Sequence, residues 1–138
     1  MSTFLIDSNV LLDIVSGDPD WAGWSESVLQ DAADRGRLVI NPIVYAEVSV
    51  RFSSIEELED ALPDQFFDRE PIPYAAAFLA AKCFVEYRRR GGRKQSPLPD
   101  FFIGAHAALA SYTLITRDVS RYRTYFPSLR LISPHGEP

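Results

Sequence analysis

The sequence predicts an α/β fold, with a central, mainly parallel sheet covered by helices on both faces. Three observations predict it. Short runs of consecutive apolar residues, such as Phe4-Leu5-Ile6, Leu38-Val39-Ile40 and Leu114-Ile115, have the character of strands buried on both faces. Between them lie longer stretches with apolar residues three and four apart, the helical period. Clusters of Gly, Pro, Asp and Ser separate the two kinds of segment.

Residues 3–6 form the first strand. Asp7 ends it, and Ser8 offers an N-cap to a helix through Val10, Leu11, Leu12, Asp13, Ile14 and Val15. Ser16-Gly17-Asp18-Pro19-Asp20 breaks the chain. Residues 21–35 read as an amphipathic helix, with Trp21, Trp24, Val28, Leu29 and Ala32 on one face and Gly36 to stop it. Residues 38–40 are a second strand, and Pro42 suits the first turn of the helix that carries Tyr45, Glu47, Val48 and Arg51. Ser54 with Glu56 and Glu57 starts another capped helix, which ends before Pro63. Residues 66–72 hold an edge strand bounded by Pro71 and Pro73.

The longest helix spans 73–90, and residues 91–97 form a loop. Asp100 opens a helix through Phe102, Ile103, Ala107 and Leu109. A strand over 112–116, a short helix over 118–125 and a closing strand over 129–132 complete the chain. With 138 residues there is room for one domain, over 1–133, followed by a short tail over 134–138. No internal repeat or low-complexity tract interrupts it.

Composition narrows the class. The apolar share of 46% can fill the core that a chain this long is able to bury. Cys83 is the single cysteine, so a disulfide scaffold is excluded. No apolar run approaches the ~20 residues of a membrane span. Met1-Ser2-Thr3 lacks the basic-then-apolar start of a secretory signal. The expectation is a soluble, cytoplasmic domain with no membrane partner. The net charge of −5 argues against a nucleic-acid binder when taken alone. Yet Arg88, Arg89, Arg90, Arg93 and Lys94 crowd into one short stretch. Four carboxylates gathered round a cation would account for all but one of the excess negative charges.

Four acids stand where core or cap residues are usual. Asp7 ends the first strand, Asp118 follows the Leu114-Ile115 strand, Asp100 lies at a helix start and Glu47 sits inside a largely apolar helix. Each has a plain alternative: Asp7, Asp100 and Asp118 as helix caps, and Glu47 as an exposed partner of Arg51 four residues on. Against this stands the rule that open α/β sheets bind ligands beyond the carboxyl ends of their strands. Clustered carboxylates need a compensating cation to stay ionised. A set without His or Cys selects hard ions, Mg²⁺ or Mn²⁺.

These residues resemble the PIN-domain ribonucleases. Asp7-Ser8-Asn9-Val10-Leu11-Leu12 looks like the family's opening motif, and Pro42-Ile43-Val44-Tyr45-Ala46-Glu47 is similar to its second. Leu98-Pro99-Asp100-Phe101-Phe102-Ile103-Gly104-Ala105-His106-Ala107 resembles the third, and Leu114-Ile115-Thr116-Arg117-Asp118 the fourth. The resemblance covers nearly the whole chain, and its length and motif order match the compact VapC-type toxins of toxin–antitoxin pairs. It implies a PIN-like three-layer α/β/α sandwich. It also implies Mg²⁺- or Mn²⁺-dependent hydrolysis of RNA, a homodimer and a small cognate antitoxin as partner. Asp7, Glu47, Asp100 and Asp118 match the family's metal-binding and catalytic acids, and Asn9 and Thr116 its supporting polar positions. The 91–97 loop is the segment that matches least.

Other residues carry paired readings. Arg93 and Lys94 are candidates for RNA phosphate, whereas Arg88 to Arg90 suit the negative end of a helix dipole. His106 reads as a buried structural histidine and Cys83 as a core residue. Trp21 and Trp24 serve either an antitoxin or dimer contact or the core. Two other classes compete with the nuclease. A phosphoryl-transfer enzyme using a strand-end Asp would want a second acid where Asn9 stands, and a response-regulator-like domain would want a lysine after a late strand. A PIN fold kept as a silent binding module is the third alternative.

Overall fold

Phe4, Leu5 and Ile6 are each almost fully enclosed, as are Leu38, Val39 and Ile40. Both runs must therefore be covered on two faces, and a parallel sheet between helix layers does this. The computed structural model describes residues 2–93 and 98–135. The elements are β1 (Ser2–Ile6), α1 (Ser8–Ser16), α2 (Ala22–Arg35), β2 (Gly36–Ile40), α3 (Pro42–Ser49) and α4 (Ile55–Ala61). They continue as β3 (Asp68–Arg69), α5 (Tyr74–Arg89), α6 (Leu98–Ala110), β4 (Thr113–Ile115), α7 (Ser120–Tyr125) and β5 (Leu131–Ile132). None of the described helices is long and apolar enough to cross a membrane.

The five strands lie in the order β3-β2-β1-β4-β5, and every pairing is parallel. The sequence suggested a mainly parallel sheet; it is wholly so. Leu5 sits opposite Val39 on one side and Leu114 on the other, so the centre of the sheet is a band of branched apolar side chains. Helices α1 to α4 pack among themselves, as do α5, α6 and α7, and the two groups form the outer layers of an α/β/α sandwich. From β1 the chain steps outward through β2 to β3, whereas β4 and β5 fill the opposite side. The strand order therefore switches between β1 and β4, which opens a crevice at their carboxyl ends.

Several boundaries differ from the sequence expectation for local reasons. The N-cap of α1 is Asp7, not Ser8: Asp7 is extended, and its carboxylate accepts the Ser8 N–H at 2.8 Å. Ser8 is already helical and nearly buried. Asn41 caps α3 by accepting the Val44 N–H at 3.0 Å, with Pro42 in the first turn as expected. The edge strand expected over 66–72 shrinks to two residues, and the closing strand over 129–132 does likewise. Gly36 does end α2, but its φ of 175° is ordinary extended backbone. Glycine is required there because a Cβ would overlap the backbone of Ser2 on β1. Gly17 is different: its left-handed φ of 64° closes α1 with bonds to the Asp13 and Ile14 carbonyls.

His106 is buried, as expected of a structural residue, at 1% exposure. Asn41 uses its amide oxygen on the Val44 N–H, so its amide nitrogen donates to His106 Nδ1 at 3.1 Å. That leaves the ring proton on Nε2, which faces Glu70 Oε1 at 3.6 Å. Burial pushes the imidazole below its usual 6.5, although Glu70 pulls the other way. Glu70 itself, which burial would raise, is brought below the usual range by Arg37, Tyr112 and His106. Cys83 is a free, buried thiol that packs in the core.

Two predictions follow from these contacts. Gly36→Ala should lower unfolding stability by about 1–3 kcal/mol, because strand backbones must part to admit the methyl. Gly23→Ala in α2, where a Cβ meets nothing within 4 Å, should be neutral or stabilising by up to about 1 kcal/mol. Urea unfolding of both variants checks the contrast. For His106 the sign is set by a folded pKa below the unfolded one. Its neutral form supports the fold fully above pH 6.5, and that support fades as pH falls through the lowered folded value. The stability of the wild type relative to His106→Gln should therefore decline on acidification below about pH 6.5, measured by urea titrations across pH.

Candidate active site

Asp7 is the centre of the crevice. Its N–H bonds to the Ile115 carbonyl at 2.9 Å, which extends the β1–β4 ladder by one residue and fixes the carboxylate at the switch point. The side chain is 3% exposed and accepts four hydrogen bonds. Ser8 N donates to Oδ1 at 2.8 Å, and Oδ2 receives Thr116 Oγ1 at 2.7 Å, Tyr122 OH at 3.0 Å and Asn9 Nδ2 at 3.3 Å.

Asn9 and Thr116 form one unit around it. The Asn9 amide oxygen accepts the Arg117 N–H at 3.1 Å, so its nitrogen is turned toward Asp7 and Thr116. Thr116 Oγ1 accepts the Asp118 N–H at 3.1 Å while donating to Asp7. The turn that carries Asp118 is thereby tied to the end of β1.

The other acids come from three separate elements. Glu47 projects from α3, half-buried, and accepts the Ser8 hydroxyl at 2.8 Å. Asp100 lies in the first turn of α6 and pairs with Arg121 Nη1 at 2.6 Å. Asp118 is exposed, and its carboxylate accepts the Ser120 N–H at 3.3 Å and hydroxyl at 3.2 Å at the start of α7.

Electrostatics joins the acids. Burial raises Asp7 to about 7 against the pull of Thr116, and the negative charges of Asp100 and Glu47 add to the rise. Ionising Asp7 is therefore harder in the crevice than in water. Glu47 is raised by burial and by Asp100; Asp100 is raised by burial and by Asp118, against Arg121. Tyr122 stays firmly protonated, pushed well above 10 by burial and by the charges of Asp7 and Asp100. It can therefore only donate to Asp7.

This donor set suits a hard cation. It consists of oxygens alone, and a buried carboxylate stands within the field of two others. As the side chains stand, no three acids among the described residues are close enough to enclose an ion, and Asp100 is turned to Arg121.

An ion pair with a buried acid braces the site from outside. Asp13 is enclosed and receives Arg117 Nε at 2.7 Å and Nη2 at 2.9 Å, with Ser25 Oγ at 3.0 Å. The Arg117 guanidinium lies over the Trp21 ring, 5.0 Å from its centroid. Trp21 thus packs within this chain, and Trp24 lies against the core. Ser8, Asp13, Arg117, Arg121 and Tyr122 are contacts of these acids and of their supports that sequence reasoning missed. The spacing held one signal: Arg121 and Tyr122 fall three and four residues after Asp118, one helical turn along. Arg89 and Arg90 pair with Glu86 at the exposed end of α5, in keeping with a helix terminus. Arg93 is exposed, while Lys94 and most of the 91–97 loop lie outside the described residues.

An α/β/α sandwich on a five-stranded parallel sheet of this order is the architecture of a PIN domain, and the chain belongs to that family, whose model matches residues 4–127. Among solved structures it is similar to VapBC2 from Rickettsia felis bound to a promoter DNA fragment, with a TM-score of 0.73 and 18% identity over 95% of this chain and 98% of that one. VapBC-1 from nontypeable Haemophilus influenzae gives 0.71 and 18% over 95% and 97%. A toxin–antitoxin complex from Klebsiella pneumoniae gives 0.65 and 23% over 96% and 98%. At these identities the likeness is one of fold. No curated sequence matches the chain.

The brace gives a stability prediction. Arg117→Met leaves the Asp13 carboxylate buried without its cation and should cost about 3 kcal/mol. Adding Asp13→Leu to that variant should recover much of the loss, because the stranded charge is gone. Equal stability of the single and double variants in urea would count against the pair as a brace.

Proposed function

We propose that this chain is a divalent-metal-dependent endoribonuclease acting as the toxin of a toxin–antitoxin pair in the cytoplasm. Nuclease activity is general to the PIN family. The solved structures of like fold include toxin–antitoxin complexes, which supports a small antitoxin as partner. The observation that carries the reading is Asp7: a buried carboxylate at the switch point that accepts four hydrogen bonds and lies in the field of Asp100 and Glu47.

The chemistry supplied by a bound Mg²⁺ or Mn²⁺ is polarisation of a phosphate oxygen and activation of water. Asp7, Glu47, Asp100 and Asp118 would hold the ion. Asn9 and Thr116 fix the rotamer of Asp7, Ser8 fixes Glu47, and Tyr122 keeps one Asp7 oxygen supplied with a proton donor. Because Asn9 is committed to Asp7, Thr116 and the Arg117 N–H, it is a positioning residue, and a phosphoryl-transfer site needing an acid there is not favoured. Arg93 and Lys94 would add sequence-independent attraction for RNA phosphate. The functional unit is a homodimer.

The test is cleavage of RNA under Mn²⁺ by the wild type, Asp7→Asn and Glu47→Gln. Both variants should lose at least about 10²-fold in rate while retaining a cooperative thermal transition. Cleavage by Asp7→Asn at the wild-type rate would overturn the assignment.

A further inference from the structure

We propose that Arg121 is the internal counter-ion of the acidic site: its guanidinium holds Asp100 in the metal-free protein, and a divalent cation binds by displacing it. The inference rests on the metal-dependent reading above. It deepens that reading by assigning a role to a residue outside the motif acids.

The geometry supports an exchangeable pair. Arg121 Nη1 meets Asp100 Oδ2 at 2.6 Å, a charge-assisted contact, and both side chains are partly exposed, at 22% and 31%. Water and ions can therefore reach the carboxylate of this pair, whereas in the Asp13–Arg117 pair the guanidinium is 30% exposed but the acid only 4%.

The position is specific. Arg121 and Tyr122 are consecutive residues of α7, and they engage Asp100 and Asp7 respectively. One short helix thus presents a removable cation to one acid and a fixed hydroxyl to the next. The three acids that repel one another, Asp7, Glu47 and Asp100, have this guanidinium as the cation in contact with a member of the set. While it remains there, Asp100 is not grouped with two other acids closely enough to enclose an ion.

Release has a place to go. The guanidinium already lies 5.7 Å from the centroid of the Tyr87 ring. Tyr87 packs edge-on to Phe101, with centroids 6.0 Å apart, and to Tyr125, at 6.4 Å. A guanidinium freed from Asp100 keeps that aromatic support through a cation–π contact. It then stands at the rim of the site as a positive charge facing a phosphate.

The experiment measures Mn²⁺ binding by calorimetry in the wild type, Arg121→Gln, Arg121→Lys and Asp7→Asn. Arg121→Gln removes the competing charge and should bind Mn²⁺ roughly tenfold or more tightly than the wild type. Arg121→Lys, which retains a cation, should stay closer to the wild type. In the wild type itself, the Arg121 Nε–H resonance should move during Mg²⁺ titration, a readout that needs no folded variant and no activity. Unchanged or weaker Mn²⁺ binding by folded Arg121→Gln would overturn the proposal, as would an Arg121 resonance indifferent to Mg²⁺. Failure of the underlying metal reading looks different: the wild type would bind no Mn²⁺, or bind it no better than Asp7→Asn.

Discussion

The carboxylate of Asp7 is the constraint around which the functional end of the molecule is organised. A charged group with 3% exposure survives only if its lone pairs are met, and here donors converge from α1, the β4 turn and α7. Two of these donors are in turn fixed by another bond. Thr116 is held by the Asp118 N–H, Asn9 by the Arg117 N–H, and Arg117 by Asp13 and the Trp21 ring. The satisfied hydrogen bonds do not neutralise the site, since Asp7 still rises to about 7. Geometry is fully supported while charge is left in deficit. The cation proposed above would supply that missing charge.

The two ion pairs near the site illustrate the division of labour. Asp13–Arg117 is bidentate, encloses its acid and is backed by an indole, so it acts as framework. Asp100–Arg121 is monodentate in its recorded contact and open to solvent. Both lie one step from Asp7, but only the second involves an acid of the candidate metal set. The difference between the two pairings thus lies in the burial of the acid and in the number of hydrogen bonds.

Much of the fold was legible because it depends on patterns of apolar residues. Phe4-Leu5-Ile6 and Leu38-Val39-Ile40 could be strands buried on both faces, and Pro42 after Asn41 marked a helix start. The edge strands were harder. Their two-residue pairings are decided by neighbouring backbone, not by local composition. Gly36 was read as a helix stop, whereas the stronger demand on it comes from Ser2 across the sheet. At the site, strand ends and helix starts pointed to Asp7, Asp118 and Asp100, and Glu47 stood out as an acid inside a largely apolar helix. Ser8, Tyr122 and Arg121 escaped because hydroxyls and guanidinia acquire such roles only through long-range contact. Glu47 and Ser8 are 39 positions apart, and Tyr122 and Asp7 are 115.

The sheet ends on either side in a strand of only two residues, β3 and β5. A rim that short offers an incoming chain almost no ladder to continue, so strand-on-strand fusion with another molecule is blocked at both borders. Apolar area lies instead on the helices. The longest helix presents Tyr74, Phe78 and Val85 outward, so apolar contact is available on the helical exterior even though the sheet is closed to growth. Those exposed side chains stand apart from the backbone bonds that hold Asp7 in place.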